Sequence, residues 1–241
     1  MKASLRVLRL CLFVIFCFAN LSSMHYSSLM MVDSTLSQGN VWRSGGTHSL
    51  VAPVQRASIG GEELCLQMAD GDVAVTTCQT DVVKEIWRNP ADWQVQEAFF
   101  SDLDRDGVQE LALLAWRAFE PWPVDSYLPY GGRIDAFQDE QGNSCHLILI
   151  SLADGNPEEI WAGSALANPI HSLVATDLDG DDQQELAAIE YAYDTKALSG
   201  PVVVWQWNGF GFSLVDRAEG EFSSLSVFKR DSSIFLLALK D

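Results

Sequence analysis

The chain has 241 residues and a formal net charge of −18, with 33 acidic side chains against 15 basic ones. That balance argues against nucleic acid and anionic membrane surfaces as partners, because phosphate contacts are made by Lys and Arg. It fits solubility and divalent cations, and the length suffices for one large or two small domains with a real core.

Residues 1–28 read as a leader rather than as fold. Lys2, Arg6 and Arg9 give a basic start, and Leu10 to Ala19 form an uninterrupted apolar run, the layout of a secretory signal. The run is short for a membrane span, which needs about 20 apolar residues. A retained N-terminal anchor is the other reading, and the only membrane attachment the sequence suggests. Removing the leader takes Cys11, Cys17 and three positive charges with it, leaving 33 acidic against 12 basic groups and a net charge of −21. Residues 29–241 are then the mature domain, expected to be secreted or at the cell surface.

That domain reads as strands, short apolar or alternating runs separated by Gly, Asp, Asn and Pro clusters. The runs include Glu63 to Met68, Val73 to Thr77, Leu111 to Trp116, Leu147 to Leu152, Leu186 to Ala192, Val202 to Trp207 and Ile234 to Leu239. Leu111 to Phe119 has the length of a helix, but it follows an acidic turn and ends at Glu120-Pro121, so a strand is expected. Cys65 and Cys78 flank Ala69-Asp70-Gly71-Asp72, a hairpin turn. With Gly71-Asp72 as the two-residue loop the cysteines face one another in a non-hydrogen-bonded pair, where side chains lie closest. A Cys65–Cys78 disulfide suits an oxidising compartment; two buried thiols in another register are the alternative. Cys145 is expected in the core.

A short element recurs along the chain: Val41-Trp42-Arg43-Ser44, Ile86-Trp87-Arg88-Asn89, Ile160-Trp161-Ala162-Gly163 and a faded Val215-Asp216-Arg217, at spacings of 45, 74 and 55 residues. Each interval has room for an inner strand, a turn, a second strand and an outer hairpin ending in the Trp element. Such a unit is a propeller blade. The expected fold is all-β and propeller-like, with about four blades of four antiparallel strands. The last blade would be completed by N-terminal strands near Leu29 to Val32 and Asn40 to Arg43, closing the ring and protecting the edges. Trp42, Trp87 and Trp161 are expected to pack between blades, as are Trp205 and Trp207, with stacking on a sugar as the alternative.

Two acidic turns follow the second and third Trp elements. Asp102-Leu103-Asp104-Arg105-Asp106-Gly107-Val108-Gln109-Glu110-Leu111 and Asp177-Leu178-Asp179-Gly180-Asp181-Asp182-Gln183-Gln184-Glu185-Leu186 both read D-x-D-x-D-x-x-x-E-L. Carboxylates at positions 1, 3, 5 and 9 are hard oxygen ligands at the alternate spacing of a calcium loop. The plain alternative is a solvated acidic turn. An EF-hand is excluded, since its bidentate Glu belongs at position 12, where Leu113 and Ala188 stand. Position 6 is Gly107 in one loop and Asp182 in the other, and a positive φ costs Asp more than Gly.

Between the loops, an insertion at about 117–144 is rich in aromatics and prolines. Its Trp122, Tyr127 and Tyr130 form a candidate recognition surface for a protein or glycan, or fold back as a cap. No catalytic signature stands out. His25, His48, His146 and His171 lie far apart, and no G-x-S-x-G elbow or zinc pattern occurs.

The two D-x-D-x-D loops, their Glu-Leu exits and the small residues before them, Ser101 and Thr176, resemble the FG-GAP/VCBS repeat of integrin alpha-subunit propellers and many secreted bacterial proteins. The resemblance covers roughly residues 40–217, with the motif in two of four units. It implies Ca²⁺ held by Asp102, Asp104, Asp106, Glu110 and the carbonyl of Val108. In the second loop it implies Asp177, Asp179, Asp181, Glu185 and the carbonyl of Gln183. Two features depart from the pattern: Glu at position 9, where Asp is also frequent, and Asp182 in place of Gly. The function expected is a calcium-stabilised binding module for a protein or glycan. The alternative is an extracytoplasmic enzyme acting on polysaccharide, with structural calcium. Fold alone does not choose between them.

Overall fold

The computed structural model describes residues 26–32, 35–38, 50–51, 56–78, 83–121, 136–230 and 233–240. Sixteen strands run through them: β1 Tyr26–Val32, β2 Thr35–Gln38, β3 Leu50–Val51, β4 Arg56–Ile59, β5 Glu62–Ala69, β6 Asp72–Thr77, β7 Glu85–Arg88 and β8 Gln94–Ser101. After these come β9 Glu110–Ala118, β10 Asn143–Ser151, β11 Glu158–Ala162, β12 Ile170–Thr176, β13 Glu185–Glu190, β14 Gly200–Trp207, β15 Phe212–Arg230 and β16 Ser233–Lys240. A single 3-10 turn, Ala153–Gly155, is the one helical element among the described residues.

The strands form three antiparallel sheets: β4-β5-β6-β7, β11-β10-β9-β8, and an eight-stranded sheet ordered β12-β13-β14-β15-β16-β1-β2 with β3 on β15. The seven strand runs read from the sequence each fall on a strand, though two overrun it, by Leu152 past β10 and by Tyr191 and Ala192 past β13, and Leu111 to Ala118 is strand β9 rather than helix. The sheet count departs from four separate four-stranded units. The cause is β15, 19 residues long, whose Phe222 pairs with Gly200 on one side and Lys240 on the other. No turn interrupts it, so the strands on either side merge into one sheet.

Burial on both faces explains the near-continuous apolar strands. Leu111, Leu113 and Ala115 of β9 point into a core shared with Ala57, Ile59, Leu64, Val73 and Val75 of the first sheet. Ala112 and Leu114 point the other way, into a core shared with Ile170, Leu173, Leu186, Ala188 and Val203. The same alternation continues in β13 and β14, where Ala187, Ile189, Val202 and Val204 meet Phe222, Leu225, Val227, Leu236 and Ala238. A strand with water on one face would alternate apolar and polar residues; these do not, because successive side chains enter different cores.

Trp87 and Trp161 are strand residues packed against these inter-sheet cores. Trp161 meets Trp207 and Phe212 edge-on at 6.1 and 5.1 Å. Trp205 is partly buried beside the same core, while Trp42 lies outside the described residues.

Several boundaries move. Strand β1 takes in residues 26–28, which the sequence assigned to the leader, and pairs with β16 from Tyr26↔Leu239 to Leu29↔Leu236. The next described strand is Thr35–Gln38; residues 40–43, where a strand was expected, lie outside the described residues. The insertion is bounded by the end of β9 at Ala118 and the start of β10 at Asn143. In the β5–β6 hairpin Ala69 pairs with Asp72 and Cys65 with Thr76, so the loop is Asp70-Gly71, with φ of 52° and 88°, rather than Gly71-Asp72. Both positive φ values suit Asp-Gly in a type I′ turn. The cysteines are therefore diagonal rather than directly opposed, and they are bonded, with Cα atoms 5.2 Å apart. Cys145 is buried and free.

Candidate metal centre

Each acidic loop joins the edge strand of a sheet to its neighbour, β8 to β9 in the second sheet and β12 to β13 in the eight-stranded one. Position 2 anchors it: Leu103 is fully buried in the core between the second and third sheets, and Leu178 is buried in the next core along. With that leucine fixed, the carboxylates on either side of it are presented at the end of the sheet.

Within the first loop the carboxylates hold their own backbone. Gly107 N–H donates to Asp102 Oδ2 at 3.1 Å, Asp106 N–H to Asp104 Oδ1 at 3.1 Å, and Val108 N–H to Asp106 Oδ1 at 2.8 Å. Leu103 N–H donates to Glu110 Oε2 at 3.0 Å. The second loop repeats the pattern: Asp182 N–H to Asp177 Oδ2 at 3.0 Å, Asp181 N–H to Asp179 Oδ1 at 3.2 Å, Gln183 N–H to Asp181 Oδ1 at 2.9 Å and Leu178 N–H to Glu185 Oε2 at 2.9 Å. Positions 4 and 6 adopt positive φ in both: Arg105 67° and Gly107 88°, then Gly180 85° and Asp182 66°. Each loop places one glycine and one strained side chain at these two positions, in opposite order, so Asp182 does adopt the backbone that glycine takes in the first copy.

These bonds focus the carboxylates. Asp102, Asp104, Asp106 and Glu110 each offer an oxygen within 4.8 Å of the others, and Asp177, Asp179 and Glu185 do the same. The two acidic clusters can thus hold a metal ion. Asp181 stands outside the second group. Val108 and Gln183 sit exposed at position 7, each with its N–H on the preceding aspartate.

The electrostatics describe sites short of positive charge. Glu110 is 2% exposed; burial first, then the charge of Asp104, pushes its carboxyl up to about 8. Burial likewise pushes Glu185 up to about 7, with Asp179 adding and Arg105 opposing. Asp104 and Asp179 are also raised, by burial and by the neighbouring aspartates. Asp102 Oδ1 is buried with no hydrogen-bond partner. A buried carboxylate oxygen without a donor is costly, and a hard cation at the focus satisfies it. The donor set, all oxygen and mostly anionic, fits such an ion.

The loops are also tied to each other, by residues the sequence reading did not single out. Gln184 Oε1 accepts from Ser101 Oγ, and from Asp102 N–H at 3.1 Å. Arg105 Nη2 donates to Glu185 Oε1 at 2.8 Å. A lone arginine inside an otherwise acidic ladder was the available signal.

Trp122, Tyr127 and Tyr130 lie outside the described residues. Ser144 and His146 form a close pair, Oγ to Nε2 at 2.7 Å, with His146 Nδ1 2.9 Å from the Gly163 carbonyl. Both side chains are buried, and the His146 bond fastens β10 to the segment after β11.

Fold and site together define an all-β chain with two linked acidic clusters able to hold metal. Compared with known proteins, the chain matches no family model and no curated protein.

Proposed function

We propose that this chain is a secreted or cell-surface, calcium-stabilised, β-propeller-like module of the FG-GAP/VCBS type that binds a protein or glycan. The observation that carries the calcium reading is the focused carboxylate set of the first loop, with the Asp102 oxygen buried and unpartnered. Asp102, Asp104, Asp106 and Glu110 would hold one ion; Asp177, Asp179 and Glu185 would hold the other. The ion supplies positive charge where four carboxylates otherwise repel, and so pins a tight turn between neighbouring strands.

The propeller reading treats the eight-stranded sheet as two units sharing β15. One is β12, β13, β14 and the first part of β15; the other is the rest of β15 with β16, β1 and β2. With the two four-stranded sheets this makes four units stacked through three cores. The pairing of β1 with β16 supports closure by the N-terminal strands, and the Cys65–Cys78 bond supports an oxidising compartment.

The test is a pair of thermal melts, in Ca²⁺ and in chelator. Free Ca²⁺ at about 100 times Kd adds roughly 2.7 kcal/mol per site, so calcium raises the melting temperature, and Asp102→Ala with Asp177→Ala removes the difference. Identical melts of the unaltered protein in the two buffers sink the calcium reading.

A further inference from the structure

The two loops focus different carboxylate sets, although the second ladder is the more acidic overall, with Asp181 and Asp182 beside its focused three. The first gathers four carboxylates, none of them in an ion pair with a basic side chain among the described residues. The second gathers three, and one of these, Glu185, is already bound to a guanidinium. That guanidinium comes from Arg105, position 4 of the first loop, 80 residues away in sequence. It is shielded from water, the Arg105 side chain being 14% exposed and that of Glu185 fully buried, while Arg105 Nε is buried with no hydrogen-bond partner among the described residues. With its amide oxygen turned toward Arg105, Gln206 of β14 accepts from Nη1 and Nη2 at 2.8 Å each. Arg105 is therefore docked on the unit that carries the second site while its backbone belongs to the first. Gln184 makes the reverse connection, from the second ladder to Ser101 and Asp102.

We infer that Arg105 is a built-in competitor for the second site, so that the two sites are inequivalent and the first fills before the second. Glu185 has two carboxylate oxygens; Leu178 N–H occupies Oε2 and Arg105 occupies Oε1. A divalent ion entering there meets a carboxylate with a donor already on each oxygen, and binds it against the repulsion of a fixed positive charge. A single charge roughly 5 Å from a dication weakens its binding about tenfold or more even at the dielectric constant of water. The inference rests on the proposed reading of both loops as calcium sites.

Calorimetric titration of Ca²⁺ into the full chain tests it. Asp102→Ala silences the first site, and in that background the second is measured with Arg105, Arg105→Met and Arg105→Lys. Arg105→Met should tighten the remaining site about tenfold, while Arg105→Lys, which keeps the charge, should stay within about threefold of the parent. An unchanged or weaker affinity in Arg105→Met overturns the inference. Since Arg105→Met leaves Glu185 without its partner and can destabilise the cation-free fold, the same ranking is read from melting temperatures. The calcium-induced rise should be larger in Arg105→Met than in the parent, and an equal or smaller rise overturns the inference. Two equal, independent affinities in the unaltered protein also overturn it while leaving the calcium reading intact. No calcium binding by the unaltered protein at either site removes both.

Discussion

Glu110→Gln makes the sharpest test of the first loop, because it should act in opposite directions with and without the ion. The glutamate is 2% exposed and its carboxyl is pushed from 4.5 up to about 8. At pH 7 without a cation, the folded protein therefore holds this group largely protonated, while the unfolded chain would ionise it. At about 1.36 kcal/mol per pH unit over the interval from 4.5 to 7, keeping it protonated costs about 3 kcal/mol. Glutamine retains an oxygen for the Leu103 N–H and turns an amide N–H₂ toward the neighbouring aspartates, so most of that cost disappears. In chelator at pH 7 the urea midpoint of Glu110→Gln should rise. In saturating Ca²⁺ the order should reverse, since the variant lacks an anionic ligand and loses most of the roughly 2.7 kcal/mol that one site gains at about 100 times Kd. The pH dependence has a fixed sign. A carboxyl raised on folding contributes stability fully present below about 4.5 and lost as pH rises through about 8. Chelated wild type should thus weaken between pH 6.5 and 8, and Glu110→Gln should weaken less. A lower midpoint in chelator together with an undiminished calcium response would refute the reasoning and make Glu110 a structural residue only.

Two further predictions concern the scaffold. Leu103→Ala empties a fully buried position beneath the first loop and should cost about 3–5 kcal/mol by urea denaturation, with a weaker calcium response because the carboxylates lose their anchor. His146 is held well below its usual value, to about 4, mainly by burial. Its stabilising effect is present above about 6.5 and lost as pH falls through 4. Calcium-free denaturation between pH 6.5 and 4 should show a smaller acid loss in His146→Asn than in wild type, and equal acid sensitivity would contradict this.

What was legible in the sequence was local or repeated. The carboxylate ladders are nine residues long and the bonds to their own backbone lie inside them, so most of their focus follows from spacing, although Asp181 shares the spacing and stands outside the second group. The runs on β9, β13 and β14 were legible because both-faced burial makes them apolar throughout, whereas the largely exposed β5 was legible from the hairpin turn that ends it. The hairpin turn was placed one residue late, at Gly71-Asp72. The resulting two-residue register slip leaves every side chain on its own face, so alternation could not distinguish the alternatives. It changed only whether Cys65 lies opposite or diagonal to Cys78. The merged eight-stranded sheet was hidden because the faded element at Val215 to Arg217 carries no turn chemistry that would either require or forbid a continuous strand. Arg105 with Glu185, and Gln184 with Asp102, were out of reach for a different reason. They are 80 and 82 residues apart, and their meeting depends on two sheets lying side by side.

The pairing of β1 with β16 sets a timetable for biosynthesis. Strand β1 is among the first parts of the fold to be made, yet its partner ends at Lys240. On the ribosome β1 can pair with β2 at once, but its other edge waits, its donors and acceptors satisfied by solvent or by a chaperone, until residues 233–240 have emerged. Loss of residues 233–240 would strand β1 and β2 at one side and bare the flank of β15 at the other, leaving two adhesive edges from one short deletion.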